Sequence, residues 1–218
     1  MEYERKSCMG ERYLGCGLKD KTLELDGVPG NDLGAYLDGG EIVVHGNTQD
    51  ATGDTMNDGI ITVYGNSGDA LGYAMRGGSI YVKGYVGYRA GIHMKASLDK
   101  QPLLVIGEYG GAFLGEYQAG GKIVVLGLHI GDRPIVGDFC GTGMYNGEIY
   151  LRTEKLPDDL SDKIIASSAS AEEVEAIAPY VRTFCEKFGG DADSLLSDHF
   201  FVLRPDSSNP YKQLYCVN

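Results

Sequence analysis

The sequence predicts an all-β architecture, a parallel β-helix of about seven coils followed by a helical C-terminal extension. Three observations carry that reading. Glycine occupies 33 of 218 positions, about twice the ordinary ~7 % usage. Thirty-one of those glycines lie in residues 1–150. The glycines also keep register: segments ending in Gly27, Gly46, Gly65, Gly84, Gly107 and Gly127 follow one another at 19, 19, 19, 23 and 20 residues.

Four of these segments read Gly-x-Ile-x-Val-x-Gly, at Gly40–Gly46, Gly59–Gly65, Gly78–Gly84 and Gly121–Gly127. The stretches before Gly27 and Gly107 are degenerate copies, and Gly147-Glu148-Ile149-Tyr150-Leu151 is a seventh. A second glycine recurs at Gly34, Gly53, Gly72, Gly91, Gly115 and Gly137. Alternation with period two marks each copy as a strand. Leu23, Ile42, Ile61, Ile80, Leu103, Ile123 and Ile149 form one apolar column; Leu25, Val44, Val63, Val82, Val105, Val125 and Leu151 form another. A lone unit cannot bury that side, whereas stacking like on like buries both columns. Glycine then turns the corners, where stacked backbones approach. Collagen needs a three-residue glycine period, and propeller blades are about twice as long as these units. The pattern leaves the hand of the coil open.

The side chains between the columns, Glu24, Val43, Thr62, Tyr81, Leu104, Val124 and Tyr150, become apolar from Tyr81 onward. Such a stripe has to be covered, by the tail of the chain or by a partner. Tyr81, Leu104, Val124 and Tyr150 are therefore the candidate interface. The terminal coils need caps. Residues 1–21 are read as an N-terminal cap, 22–152 as the repeat and 153–218 as the helical extension. In the extension, Ser170-Ala171-Glu172-Glu173 is a capping box. Val174, Ile177, Val181, Phe184 and Phe188 follow at helical spacing, and Gly189 ends the helix. Pro179 is expected to kink or split it. Phe200–Leu203 reads as a short strand.

Charge and composition exclude several functions. Nineteen basic against thirty-one acidic residues give a net charge of −12, unsuited to nucleic acid or an anionic membrane. Five cysteines, with no CxxC pair, do not form a disulfide framework or a zinc site. Cys8 and Cys16 lack further ligands for an iron–sulfur cluster. No apolar run follows the basic start and none could cross a bilayer, so a cytoplasmic protein is expected.

Catalytic patterns are sparse. Gly137-Asp138-Phe139-Cys140-Gly141-Thr142-Gly143 lacks the lysine of a phosphate loop, and Gly65-Asn66-Ser67-Gly68 is one residue short of a nucleophile elbow. His45, His93, His129 and His199 have no metal-ligand spacing, and Cys140 reads as a small core residue on a strand. Asp54, Asp58 and Asp69 lie in adjacent coils and form the one carboxylate group that could serve carbohydrate chemistry; turn positions also favour aspartate. Arg76, Lys83, Arg89 and Lys95 form the only local basic run.

Gly72–Gly84, Gly115–Gly127 and Gly143–Tyr150 together resemble a glycine-repeat signature. It is that of the C-terminal β-helix domain of the glutamate synthase large subunit, shared with the β-helical subunit of formylmethanofuran dehydrogenase. The likeness runs from about Lys21 to Arg152 in coil order. Residues Asn209-Pro210-Tyr211-Lys212-Gln213-Leu214-Tyr215 are similar to the stand-alone "domain 3" subunits of split glutamate synthases. The resemblance implies a right-handed β-helix without an active site or cofactor. It holds a glutaminase subunit and an FMN-binding synthase subunit in register, with FMN and iron–sulfur clusters in those partners, so that ammonia reaches 2-oxoglutarate. The alternative is the equivalent scaffold in a formylmethanofuran dehydrogenase or formyltransferase complex. A further alternative is an independent carbohydrate-active β-helix. An insertion around Ser97–Gln101 departs from the repeat.

Overall fold

The computed structural model describes residues 2–97 and 99–206; residues 209–215, Cys216 and Leu98 of the insertion lie outside the described residues. Eight strands run parallel and pair in chain order: β1 (Glu2–Met9), β2 (Lys21–Val28), β3 (Asp38–His45), β4 (Asp58–Val63), β5 (Ser79–Val82), β6 (Leu103–Ile106), β7 (Ala119–Val125) and β8 (Asn146–Arg152). Each turn of the chain returns one strand to the same sheet, which makes a β-solenoid. There is one more strand than the seven expected. Within the segment read as a cap, residues 2–9 form a full rung of the sheet: β1 pairs with β2 at eight positions, from Glu2–Lys21 to Met9–Val28. Sequence periodicity hid this rung because Glu4 and Lys6 stand where later coils place leucine, isoleucine or valine.

The interior holds two continuous columns. Leu23, Ile42, Ile61, Ile80, Leu104, Ile123 and Ile149 stack in one; Leu25, Val44, Val63, Val82, Ile106, Val125 and Leu151 stack in the other. All are buried. The expected register fails at β6, where Ile80 pairs with Leu104 and Tyr81 with Val105. Leu104 therefore points into the core, and Leu103 and Val105 point outward. The physical reason is that Leu103-Leu104-Val105-Ile106 is buried on both faces, and a strand buried on both sides carries no alternation to fix its register.

Opposite the strands, each coil turns through a tight arc in which alternate residues have positive φ. One arc uses Ala51 (φ 58), Gly53 (φ 74) and Thr55 (φ 50), and the next Ala70, Gly72 and Ala74. The alternation sends successive N–H groups up and down the solenoid: Ala51 donates to Asp69, Gly53 to Leu33 and Thr55 to Tyr73. Both neighbouring coils are bonded without a strand. Only the middle position must be glycine. It faces inward, and a Cβ on Gly53 would lie 2.4 Å from Ile80 Cδ1. The outer two positions face solvent and tolerate Asp32, Tyr36, Arg89, His93, Phe113 and Tyr117 at positive φ. Gly137 does not belong to this series. Its N–H donates to Gly110, as that of Gly111 does to Val86, whereas Gly141 occupies the inward position and donates to Leu114. The longer loop after Gly127 displaces the last arc by four residues.

Residues beyond Arg152 close the solenoid and cover it. β9 (Ile164–Ser168), α1 (Ala171–Phe188), α2 (Ala192–Ser197) and β10 (Phe200–Pro205) follow in order. β10 pairs antiparallel with both β8 and β9, so the extension adds two strands to the sheet besides its helices. Leu203 joins the solenoid core, while Phe200 and Val202 turn the other way and pack with α1. The capping box at Ser170 and Glu173 is formed in both directions and the helix stops at Gly189. Pro179 does not split α1, which runs unbroken to Phe188. The proline is on the exposed side of the helix, where water can satisfy the carbonyl that lost its N–H partner.

A polar clamp fastens this extension. Glu148 on β8 accepts from Lys122, from Tyr150 Oη at 3.0 Å and from Arg204 Nε at 2.9 Å. Arg204 also reaches Glu173 of the capping box at 2.6 Å. Burial works against the charge on Glu148, but its three donors prevail and hold its pKa below the usual carboxylate range. The Ser170 N–H and Arg204 do the same for Glu173. Because both folded values are depressed, the stabilisation is full above the ordinary glutamate range and is lost as pH falls through the folded values. Thermal stability is expected to drop on acidification in that window. Glu148→Ala, which strands Lys122 and leaves Arg204 with Glu173 alone, should cost about 2 kcal/mol at neutral pH and flatten the acid limb. A pH series of melting temperatures for both proteins checks this.

Candidate docking face

The structure disperses the residues that sequence reasoning offered for chemistry. Ser67 of the near-elbow is buried and its Oγ accepts from Thr48 Oγ1 at 2.8 Å. Asp69 accepts from the Tyr88 N–H at 2.8 Å, just as Asp50 accepts from the Asp69 N–H. Asn47 and Asn66 form a parallel ladder, receiving the N–H groups of Asn66 and Tyr85. Asp58 caps its own turn at Gly59 and faces Lys100, and Asp54 receives Thr55 Oγ1. These carboxylates hold coil corners together and do not converge. Cys140 sits in the last arc, in a turn rather than a strand, and burial pushes its thiol up to about 12. It is an inert thiol. No group of three or more His, Cys, Asp or Glu side chains could hold a metal ion among the described residues.

The repeat glycines sit where coils touch. A Cβ on Gly27 would meet the Cys8 carbonyl oxygen at 2.2 Å, one on Gly46 that of Gly27 at 2.2 Å, and one on Gly107 that of Lys83 at 1.9 Å. Gly65 and Gly84 press on the asparagine ladder in the same way, and Gly127 on Ile135.

The expected interface stripe is corrected in two respects. Leu104 is inside the solenoid and Val105 takes its place. Tyr81, Val105, Val124 and Tyr150 are buried beneath Ile177, Val181 and Phe184 of α1 and Phe200 and Val202 of β10. The chain's own tail covers the stripe, so it presents nothing to a partner.

What is exposed is the flank formed by the arcs. Two aromatic columns run up it from the fourth coil. In one, Tyr88 meets Phe113 edge-on with centroids 5.3 Å apart, and Phe113 meets Phe139 at 4.9 Å. In the other, Tyr73 meets His93 at 6.0 Å, and His93 stacks on Tyr117 at 5.3 Å. Between them Arg89 lies over the rings of Tyr88 and Phe113, and its Nε is 2.8 Å from the buried carboxylate of Glu116. Tyr73, Tyr88, Tyr117 and Phe139 remain 40 %, 39 %, 50 % and 49 % exposed. Aromatic residues and arginine are the side chains enriched where proteins meet, and a contiguous exposed patch of them marks an interaction site. Positive φ holds Arg89, His93, Phe113, Tyr117 and Phe139 outward, a backbone cost of about 1 kcal/mol each that the stacked coils sustain. Of the basic run, Arg89 alone joins this face; Arg76, Lys83 and Lys95 are separately exposed. Sequence reasoning missed the face because His93 and Tyr117 are 24 residues apart and Phe113 and Phe139 are 26 apart, while Tyr73 and Tyr88 sit one residue earlier in their arcs, so no column shows the 19-residue recurrence.

Fold and surface define a glycine-cornered β-solenoid that covers its own sheet and exposes an aromatic flank. The chain belongs to the GXGXG motif family, which matches it over residues 6–205. It is 48 % identical to an uncharacterized protein of Methanocaldococcus jannaschii, an alignment covering 96 % of this chain and 84 % of that protein. Among solved structures it is similar to a chain of the formyltransferase/hydrolase complex FhcABCD of Methylorubrum extorquens, determined with methylofuran. The TM-score is 0.73 at 21 % identity, covering 94 % of this chain and 73 % of that one. Among the described residues no helix is long and apolar enough to cross a membrane.

Proposed function

We propose that the chain is a non-catalytic subunit of a cytoplasmic multi-subunit complex of the formylmethanofuran dehydrogenase or formyltransferase type, and that its aromatic flank seats a catalytic partner. The observation that carries this is the match of nearly the whole solenoid to a chain of the formyltransferase/hydrolase complex. The dispersal of the candidate catalytic groups fits the same reading, since the polar residues of the coils are spent on ladders between neighbours. In this reading the chain supplies a rigid rod and the substrates and cofactors belong to its partners.

A second reading is the stand-alone scaffold of a glutamate synthase, joining a glutaminase subunit to an FMN- and iron–sulfur-containing synthase subunit. It draws support from the same glycine repeat and from the motif at residues 209–215. Purification of the tagged chain from its native cells separates the two. Recovery of formyltransferase and hydrolase subunits supports the first reading, and recovery of glutaminase and FMN-binding subunits replaces it with the second. Turnover by the isolated chain would overturn both.

A further inference from the structure

The two ends of the solenoid are finished differently. At the C-terminal end β10 pairs antiparallel with β8 of the last coil, β9 pairs antiparallel with β10, and Leu203 plugs the core. At the other end β1 is the edge strand of the sheet, with β2 as its one neighbour among the described residues. An edge strand carries unpaired N–H and C=O groups, ready to pair with another strand. Around it Leu14 and Leu18 are only half-buried against the core.

The pairing of β1 with β2 fixes which side chains top the core. Glu4 stands over Leu23 and Lys6 over Leu25, so a carboxylate and an ammonium close the two apolar columns, 3.7 Å apart. Charges pointing inward from an edge strand discourage indiscriminate pairing. Their alternation also selects one partner. Opposite residues of an antiparallel pair share a face. When β1 meets the β1 of a second copy about a two-fold axis through Arg5, Glu4 lies opposite the second copy's Lys6 and Lys6 opposite its Glu4. Tyr3 then faces Ser7. Moving the register by one step either way puts Glu4 against Glu4 or Lys6 against Lys6, and like charges directly opposite are destabilising. The two Arg5 side chains meet at the axis on the outer face. Each is already neutralised within its own chain by Asp26 at 2.8 Å and Glu24 at 3.0 Å.

We propose that the β1 edge is a self-complementary docking surface for a second copy of this chain, joining two solenoids end to end through an antiparallel β1–β1 pair in the Glu4–Lys6 register. The resulting interface is isologous and closed, so it stops at the dimer. It lies at the end of the rod, away from the arcs of the later coils, and leaves both aromatic flanks free.

Charge exchange tests this with the full-length chain in sedimentation velocity over a concentration series. Wild type is expected to sediment as a dimer that dissociates on dilution. Glu4→Lys places lysine against lysine and Lys6→Glu places glutamate against glutamate; each is expected to weaken the dimer at least tenfold. The double variant Glu4→Lys/Lys6→Glu restores opposite charges and should restore the dimer. An equimolar mixture of the two single variants should form a heterodimer, because both of its cross-strand pairs are again opposite in sign. That recovery separates lost complementarity from misfolding, since two misfolded variants do not rescue each other. A wild type that stays monomeric throughout, species larger than a dimer, or dimers unaffected by the exchanges would overturn the proposal.

Discussion

Replacing Gly107 by alanine is expected to destabilise the protein by about 3 kcal/mol or more, because the new methyl has nowhere to go. Its carbon would lie 1.9 Å from the Lys83 carbonyl oxygen of the coil below and 2.8 Å from Cζ of Phe184 above the sheet. The first neighbour is backbone, held in the ladder by the stacking of β5 on β6, so relief requires the two coils to separate. The second is the principal side chain of the covering helix. For a chain of this length each kcal/mol moves the melting temperature by roughly 2–4 °C, and a loss near 10 °C is the expected calorimetric result. Gly189→Ala, at a position with open space around it, provides the comparison and should cost far less despite its positive φ. A Gly107→Ala protein melting within 2 °C of wild type, a bound set by ordinary surface substitutions, would mean that the coils are not packed at this corner as described.

Phe184→Ala is the second large effect, with an expected cost of about 3–5 kcal/mol for deleting a buried aromatic. Phe184 is almost wholly buried, packs edge-on against Phe188 at 4.8 Å and joins Ile177 and Val181 over the outward stripe. Its loss uncovers Tyr81, Val105 and Val124, so the variant should also aggregate. The effect should be local first. Amide exchange is expected to quicken across residues 171–188 while the interior strands β3 and β4 keep their protection, since α1 draws its stability from the sheet but the solenoid core does not draw on α1. Uniform loss of protection along the whole chain would contradict this division into two cores.

The legibility of the sequence followed how many constraints each element obeys. Strands β2 to β5, β7 and β8 were readable because alternation, glycine spacing and β-branched residues agree there. β1 was hidden by Glu4 and Lys6, which break the apolar pattern because they close the end of the core. β6 is legible as a strand but not in register, since four consecutive buried apolar residues carry no alternation. The longer loop before Gly137 hides the register of the last arc, because it moves the inward glycine to Gly141. β9, with Ile165 exposed and Ser167 and Ser168 following, lacks a strand signature of its own; pairing with β10 makes it one. The candidate surface was the least legible. The apolar outward stripe announces its need for a cover, and the tail supplies it. The aromatic flank depends on non-glycine residues at positive φ, and nothing in the local sequence announces that Arg89, His93 or Phe139 adopts it.

The central claim, that this solenoid serves as a seat for catalytic partners, is tested most directly on that flank. Tyr117→Ser/Phe139→Ser removes the two most exposed rings of its two columns. Tagged wild-type and variant chains are to be expressed in the native cells and purified side by side, with the enzymatic subunits in each eluate identified and counted by mass spectrometry. The account predicts a fixed stoichiometry of catalytic subunits with the wild type and their loss, at least tenfold, from a variant whose melting temperature is unchanged within about 3 °C. An equally stable variant that keeps its full complement of catalytic subunits would contradict it.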